Sequence, residues 1–116
     1  MESNPSSLIE ASRVRDTNVY NPSGEKLGAV HDLMIDKRSG QAIYAIVSFG
    51  GFLGLGESHF PIPWGRLKYD ASLGGYVTDI DTGALEGAPA YAAGASPRWG
   101  EAGYEAELQR FYGVAP

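Results

Sequence analysis

The sequence predicts a mainly β fold, a small and strongly bent β-barrel of five to six short strands followed by one C-terminal α-helix. Short runs of β-branched and aromatic residues fill the stretch 8–87, and turn signals separate them. The 116 residues include sixteen glycines and seven prolines, which is about 20% where average usage gives about 12%. Because 43% of the residues are hydrophobic, we expect a turn-rich folded domain and not a disordered chain.

Turn sequences divide the predicted sheet into strands. Residues 21–24 (Asn-Pro-Ser-Gly) are typical of a type I turn between a strand at 17–20 and a longer strand that begins near Lys26. Residues 37–40 have the length and the final glycine of a hairpin loop, so the partner strand is 41–49. Both faces of that partner are apolar, which predicts a strand covered on two sides.

Alternation along the long strand assigns its two faces. We expect the core face to carry the odd-numbered set Leu27, Ala29, His31, Leu33 and Ile35. The even-numbered residues of the same strand then lie on the opposite face.

The remaining elements follow in chain order. Residues 58–63 predict a strand whose two prolines confine it to an edge, or to positions where no neighbour needs an N–H group. Residues 64–67 predict a single helical turn, and 69–70 with 76–80 predict a last hairpin. A second helical turn is expected at 81–86, where it closes the barrel.

Composition predicts four regions along the chain: a flexible leader at 1–7, the barrel at 8–87, a linker at 88–100 and an amphipathic helix at 101–113. Residues Tyr104, Leu108, Phe111 and Tyr112 form one apolar stripe at helical spacing. A helix of about twelve residues is marginal in water when isolated. We therefore expect the stripe to pack either on its own barrel or on a second copy.

Charge and composition exclude several classes of function. The net charge of −5 argues against DNA binding and disfavours RNA or ribosome binding, because Lys and Arg supply most affinity for phosphates. The chain has no cysteine, and therefore no thiol nucleophile or cysteine-ligated metal. With no apolar run near the roughly 20 residues that span a bilayer, we expect a cytoplasmic protein without transmembrane insertion.

The glycine-rich stretch 50–56 is the most conspicuous local motif. Its glycines run in the reverse order to the dinucleotide fingerprint, a strand and not a helix follows, and no Lys-Ser/Thr pair is present. Nucleotide binding is therefore not expected. The apolar residues Phe52, Leu53 and Leu55 of this hairpin tip either cover the end of the barrel or form a contact surface.

Two histidines and a pair of acids are the remaining candidates for chemistry. His31 and His59 lack metal-ligand spacing, although Glu57 would share a face with His59 in an extended segment. Asp79 and Asp81 lie on one side of the last strand, which favours a solvated outer face over a catalytic pair. We predict no catalytic residue, no cofactor and no metal site.

Four runs of the sequence resemble the PRC-barrel family. They are 19–28 (Val-Tyr-Asn-Pro-Ser-Gly-Glu-Lys-Leu-Gly), 30–36 (Val-His-Asp-Leu-Met-Ile-Asp), 45–54 (Ala-Ile-Val-Ser-Phe-Gly-Gly-Phe-Leu-Gly) and 60–64 (Phe-Pro-Ile-Pro-Trp). That family includes the cytoplasmic domain of the photosynthetic reaction-centre H subunit and the C-terminal domain of a ribosome maturation factor. The tail is similar to that of stand-alone bacterial members.

The resemblance implies an assembly or adaptor module without shared catalytic residues. Together with the strand that is apolar on both faces and the apolar stripe of the C-terminal helix, it predicts a non-enzymatic protein-interaction module. We expect this module to form a homodimer and to bind a protein partner whose identity the sequence does not give. The predicted interaction residues are Phe52, Leu53, Leu55, Trp64, Tyr104, Leu108, Phe111 and Tyr112. One alternative is a ribosome-associated or RNA-processing factor, and another is a peripheral component of a photosynthetic or membrane complex. The first alternative needs a cluster of basic side chains among Arg13, Arg15, Lys37, Arg38, Arg66 and Lys68. A ligand or metal near His59 and Trp64 is a further possibility left open.

Overall fold

Seven strands form one sheet within residues 7–50, 58–92, 95 and 98–113, which the computed structural model describes. The strands are β1 (Asn18–Tyr20), β2 (Lys26–Ile35), β3 (Ala42–Phe49), β4 (Ser58–Pro63), β5 (Lys68–Asp70), β6 (Gly75–Val77) and β7 (Tyr91–Ala92). Two α-helices, α1 (Ala11–Val14) and α2 (Tyr104–Tyr112), flank the sheet in sequence. The mainly β class with a C-terminal helix is therefore confirmed.

The sheet has the strand order β5-β6-β1-β2-β3-β4-β7. Neighbours are antiparallel except β1 and β6, which pair in parallel through Val19 and Tyr76. Six of the strands correspond to predicted ones. The seventh, β7, lies in the segment predicted as a linker and pairs with β4.

The two predicted turns at 21–24 and 37–40 form, and in each a side-chain oxygen accepts hydrogen bonds from backbone N–H groups of the turn. Asn21 Oδ1 accepts hydrogen bonds from the Ser23 and Glu25 N–H groups at 3.0 and 2.9 Å. Asp36 Oδ1 accepts from the Arg38 and Ser39 N–H groups at 2.8 and 3.0 Å. Such short polar side chains stabilise turns because they replace missing backbone partners.

β3 is covered on both faces, as predicted. Tyr44 and Ile46 on one face and Ala45 and Val47 on the other are all buried. β2 pairs closely with it at Gly28, where an added Cβ would lie 2.1 Å from the Ser48 carbonyl oxygen. Only glycine allows this approach of two backbones.

The predicted core face of β2 is wrong, because neither alternating set of residues stays on one face along the whole strand. Val30 pairs with Val47 but Asp32 pairs with Ile46, so His31 is an extra residue in β2. One extra residue exchanges the two faces of every side chain beyond it. Val30, which lies before the bulge and belongs to the even-numbered set, is buried, whereas His31 is exposed. A second irregularity separates Met34 from Ile35, and Ile35 is 47% exposed.

The end of the sheet at β4 is packed into the core. Phe60 and Ile62 are buried, and Pro61 and Pro63, also buried, lie beyond the two residues that pair with β7. A 3₁₀ turn, Trp64–Arg66, follows β4, and a second one, Thr82–Gly87, begins where Asp81 Oδ1 accepts from the Gly83 N–H. Both helical turns agree with the sequence prediction.

Helix α2 packs on the core of its own chain. Tyr104, Leu108 and Tyr112 are buried in the same cluster as Phe60 and Ile62. The Tyr104 hydroxyl donates to the Pro89 carbonyl at 2.7 Å, and Arg66 Nη1 donates to the Tyr112 carbonyl at 3.1 Å. The arginine thus supplies positive charge and a donor where the helix carbonyls end. Gly113 ends the helix in the left-handed conformation (φ +71°), which residues with a Cβ rarely adopt.

Candidate interaction surfaces

Exposed large apolar side chains identify where a partner could bind. Single exposed apolar residues are ordinary on a protein surface, whereas grouped ones indicate contact sites. Within the described part of the chain, these residues are Leu8, Ile9, Ile35, Ile43, Tyr69 and Phe111. Five of the six line two separate grooves.

The first groove, here called the N-terminal groove, separates the segment around α1 from the hairpin of β5 and β6. It has a volume of about 850 Å³, and its apolar lining includes Leu8, Ile9, Tyr69 and Leu73. Ile9 and Tyr69 are each 46% exposed. Half-exposed apolar side chains around an open groove offer surface that a protein partner can remove from water.

Strand β5 forms one wall of this groove and is the end strand of the sheet. Its Tyr69 pairs with Tyr76 of β6, and the two rings meet edge to face with centroids 5.4 Å apart. Tyr76 is buried and contacts Trp64 in the same manner at 5.4 Å. Three aromatic rings in contact, those of Trp64, Tyr76 and Tyr69, therefore connect the core to the exposed end strand.

The turn after β5 holds the carboxylate of Asp70 in place. Asp70 Oδ1 accepts from the Ser72 hydroxyl at 2.6 Å, the Ser72 N–H at 2.9 Å and the Leu73 N–H at 3.3 Å. These hydrogen bonds, the hydroxyl's first, lower the pKa of Asp70 below its usual value because they stabilise the ionised form. The end strand therefore carries a fixed negative charge.

The second groove, here called the hairpin groove, lies beside the loop between β2 and β3. It has a volume of about 530 Å³ and is lined by Ile35, Ile43, Tyr44 and Trp99 among others. Ile35 lies beyond a second irregularity of β2, between Met34 and Ile35. It pairs with Ala42, and therefore shares the face of Tyr44 and not that of Ala45 and Val47. Lys37, Arg38 and Glu105 make this groove more charged than the first.

His31 and His59 come together across β3. Their rings stack with centroids 4.2 Å apart and an angle of 25° between planes, and Tyr91 meets His59 edge to face at 5.5 Å. Burial, and after it the charge of His31, lower the pKa of His59. Parallel imidazoles do not point two nitrogens at one ion in the tetrahedral way that zinc prefers. No group of three or more His, Cys, Asp or Glu side chains suited to a metal occurs among the residues described.

Tyr91 is the titratable neighbour of this histidine pair. Burial raises the pKa of Tyr91, the charge of Asp32 adds to the rise, and the Trp99 indole N–H opposes it. The indole nitrogen is itself buried and has no hydrogen bond of good geometry within the described residues. The cluster is thus a packed junction of β2, β4 and β7.

The two acidic residues predicted to lie on a solvated face, Asp79 and Asp81, are exposed. Asp81 serves as the N-cap of a 3₁₀ turn. Tyr76 and Thr78 are buried on the inner side, as expected, but β6 ends at Val77 and not at residue 80. The hydrogen bond from the Thr78 N–H to the Tyr20 carbonyl at 3.0 Å continues the contact with β1.

The structure separates the five predicted interaction residues that it describes into three groups. Tyr104, Leu108 and Tyr112 are buried within the chain, which accounts for the apolar stripe without a second copy. Phe111, 37% exposed, is the member of the stripe that faces solvent. Trp64 is half-buried against Tyr76.

Three of the predicted interaction residues, Phe52, Leu53 and Leu55, lie outside the described residues. Their role in binding stays a prediction, as does that of the other five.

The basic residues needed for an RNA-binding cluster are found in different places. Arg13 lines the N-terminal groove, whereas Lys37 and Arg38 line the hairpin groove. The guanidinium of Arg66 is engaged at the end of α2, and Arg15 Nε donates to the His31 carbonyl at 3.1 Å.

The exposed residues Ile9, Ile35, Ile43 and Tyr69 were missed as contact candidates by sequence reasoning. Strict alternation predicts Ile35 in the core because it gives no sign of the two irregularities in β2. Tyr69 had a weak signal, since a single aromatic between Lys68 and Asp70 in a three-residue strand is a pattern suited to an edge.

Comparison with known families agrees with the mainly β architecture. The family model described as the PRC-barrel domain matches residues 7–94. The chain belongs to the PRC-barrel domain family.

A relative gives less information about function. An uncharacterized protein of Deinococcus radiodurans is 31% identical over 62 residues, which cover 47% of this chain and 23% of that protein. The chain therefore matches about a quarter of the length of this curated relative. Within the described residues, neither α-helix is long and apolar enough to cross a membrane.

Proposed function

We propose that the chain is a non-catalytic protein-interaction module of the PRC-barrel type, located in the cytoplasm, and that it works as a homodimer. The observation that carries this proposal is the N-terminal groove, where half-exposed Ile9 and Tyr69 lie beside an exposed end strand. Removing such side chains from water stabilises an association by roughly 25 cal/mol per Å² of apolar surface, before the costs of association.

A non-catalytic role is supported by the state of the titratable groups. Asp79 and Asp81 are exposed, and His59 is packed between His31 and Tyr91 with its pKa lowered by burial. Catalytic acids and bases more often converge in a cleft with strongly shifted pKa values. Asp81 instead caps a 3₁₀ turn, and the two histidines pack between strands.

Sedimentation velocity over about 1–500 µM, a range that brackets the weak end of protein association, tests the homodimer. We expect a concentration-dependent shift from the monomer mass of 12.4 kDa to twice that mass. Ile9→Asp should move the shift to higher concentration. A monomer throughout this range would contradict the proposal.

The rival ribosomal role is tested with the same preparation. If the chain instead sediments with bacterial ribosomal particles at low salt and is released at high salt, phosphate contacts dominate its binding. That result, obtained with a monomeric protein, would favour a ribosome-associated factor.

A further inference from the structure

We propose that two copies of this chain associate by antiparallel pairing of β5 with β5, with each Tyr69 opposite its counterpart on a twofold axis. This inference rests on the homodimer of the proposed function and names its interface. The resulting sheet would continue across both copies through main-chain hydrogen bonds.

Strand β5 has an unpaired edge. It pairs with β6 on one side and, within the described residues, with no strand on the other. Lys68 and Tyr69 are exposed and Asp70 is half-buried. An exposed edge presents N–H and C=O groups that favour pairing with another chain.

The charges of β5 favour a second copy of this chain as the partner at the free edge, and they determine the register in which the two β5 strands pair. In antiparallel pairing centred on Tyr69, Lys68 of each copy lies opposite Asp70 of the other, so both charge pairs are attractive. A shift of two residues in either direction places Lys68 opposite Lys68 or Asp70 opposite Asp70. Opposite charges across a strand pair are stabilising and like charges are destabilising.

Both charged groups are available for this contact. Asp70 uses Oδ1 for the turn at Ser72 and Leu73, and its Oδ2 accepts no hydrogen bond within the described residues. Lys68 forms no ion pair there, where the salt bridge observed is between Arg13 and Glu10 at 3.9 Å. Since its hydrogen bonds lower the pKa of Asp70, the carboxylate is charged at neutral pH.

Apolar side chains beside the strand enlarge the contact. Pairing of two three-residue strands alone would bury far less than the roughly 1,200 Å² of a stable interface. On the face of Tyr69, the N-terminal groove adds Ile9 and Leu73. The Tyr69 rings of the two copies would form a cross-strand aromatic pair, which is favourable in antiparallel sheets.

A single introduced cysteine tests the twofold axis, because the chain has no cysteine of its own. We expect Tyr69→Cys to form a disulfide-linked dimer under mild oxidation, since directly opposed residues have Cβ atoms close to the spacing that a disulfide requires. Ile35→Cys is the matched control, because Ile35 is 47% exposed and lies in the hairpin groove. It should cross-link at least about tenfold more slowly.

A charge reversal tests the register in a chain that retains Tyr69. Lys68→Glu places two negative charges opposite each other at both ends of the paired strands, and we expect the dimer dissociation constant to rise at least about tenfold. Lys26→Glu, the same change at an exposed residue of β2, should leave the constant within about twofold. Circular dichroism spectra of both variants should match the original chain, since both positions are exposed.

The outcomes separate this inference from the proposed function. A dimer that is insensitive to Lys68→Glu and that cross-links no faster through Tyr69→Cys than through Ile35→Cys overturns the β5 interface and leaves the homodimer standing. A dimer weakened by Ile35→Asp and not by Ile9→Asp places the interface at the hairpin groove and also overturns it. A monomer at every concentration overturns both proposals.

Discussion

The two ends of the sheet differ in how their edges are treated. At one end, β7 pairs with Ser58 and His59, and the rest of β4 is buried and carries Pro61 and Pro63, which have no N–H to offer. At the other end, β5 is a three-residue strand with exposed side chains and no proline. The first, here called the closed end, offers a further strand only the two residues of β7, whereas the second, the open end, offers the three residues of β5.

The closed end uses the C-terminal part of the chain. Leu85, Tyr104, Leu108 and Tyr112 share one core with Ile62 of β4. Within the described residues, β5 has no comparable cover. Since a twofold dimer needs one self-complementary surface on each copy, the open end is the one where a second copy can add strands without disturbing the core.

Removal of a core side chain of α2 is the strongest test of the closed end. Leu108 is fully buried, and Leu108→Ala should lower the free energy of unfolding by about 2–5 kcal/mol, the cost of lost burial and the resulting cavity. Urea denaturation followed by circular dichroism measures the change. Phe111→Ala in the same helix, at a residue 37% exposed, should cost less than about 1.5 kcal/mol. Equal losses for the two variants would show that α2 does not pack as described.

Two tyrosine hydroxyls of α2 test the packing of the closed end through smaller changes in the free energy of unfolding. The Tyr104 hydroxyl donates to the Pro89 carbonyl at 2.7 Å, so Tyr104→Phe should cost about 1–2 kcal/mol because a carbonyl loses its donor. The Tyr112 hydroxyl is buried without a hydrogen-bond partner in the described structure. Tyr112→Phe should therefore leave stability unchanged or raise it by up to about 1 kcal/mol, since an unsatisfied polar group is removed.

Thermal or urea unfolding of the two phenylalanine variants checks this prediction. The two changes remove the same atom from the same helix, so the difference between them reports the hydrogen bond and not the loss of packing. A reversed order of stability would mean that the closed end is not held through Pro89. Burial, and after it the charge of Tyr104, raise the pKa of Tyr112, so its hydroxyl stays neutral under any of these conditions.

Much of the fold follows from local signals in the sequence. The turns at 21–24 and 37–40, strand Ser58–Pro63 and the helix stripe at Tyr104 and Leu108 were predicted because each depends on neighbours in the chain. The bulge at His31 was not, since strict alternation is the simplest interpretation of a strand and a bulge depends on how the partner strand pairs. Strand β7 was missed because two residues in an alanine-rich segment carry no periodic signal.

The candidate site was less predictable than the fold. Sequence reasoning assigned the α2 stripe to interaction, since an amphipathic stripe shows that something covers it but not what. The structure covers Tyr104, Leu108 and Tyr112 within the chain. Which strand lies at the end of the sheet depends on the order of strands, and the parallel pairing of β1 with β6 that places β5 there is a non-local contact.

The smallest expected effect is a pH dependence at the closed end, where His59 of β4 lies between His31 and Tyr91. Because burial and then the charge of His31 lower the pKa of His59, the unfolded chain binds more protons than the folded one between that lowered pKa and the usual value of about 6.5. Stability should therefore be complete above about pH 6.5 and decrease as the pH falls through this window.

The variant His31→Gln isolates this effect. It removes the charge that contributes to the lowered pKa of His59 while keeping a polar side chain at an exposed position, so the decrease in stability at low pH should become shallower. Urea denaturation at several pH values from about 5 to 7.5 measures the slope, and this range lies above the region near pH 4 where ordinary carboxyl groups titrate. If the dependence of the free energy of unfolding on pH is unchanged in His31→Gln and absent in His59→Gln, burial alone sets the pKa of His59. A slope that persists in both would show that the pH dependence arises away from the closed end of the sheet.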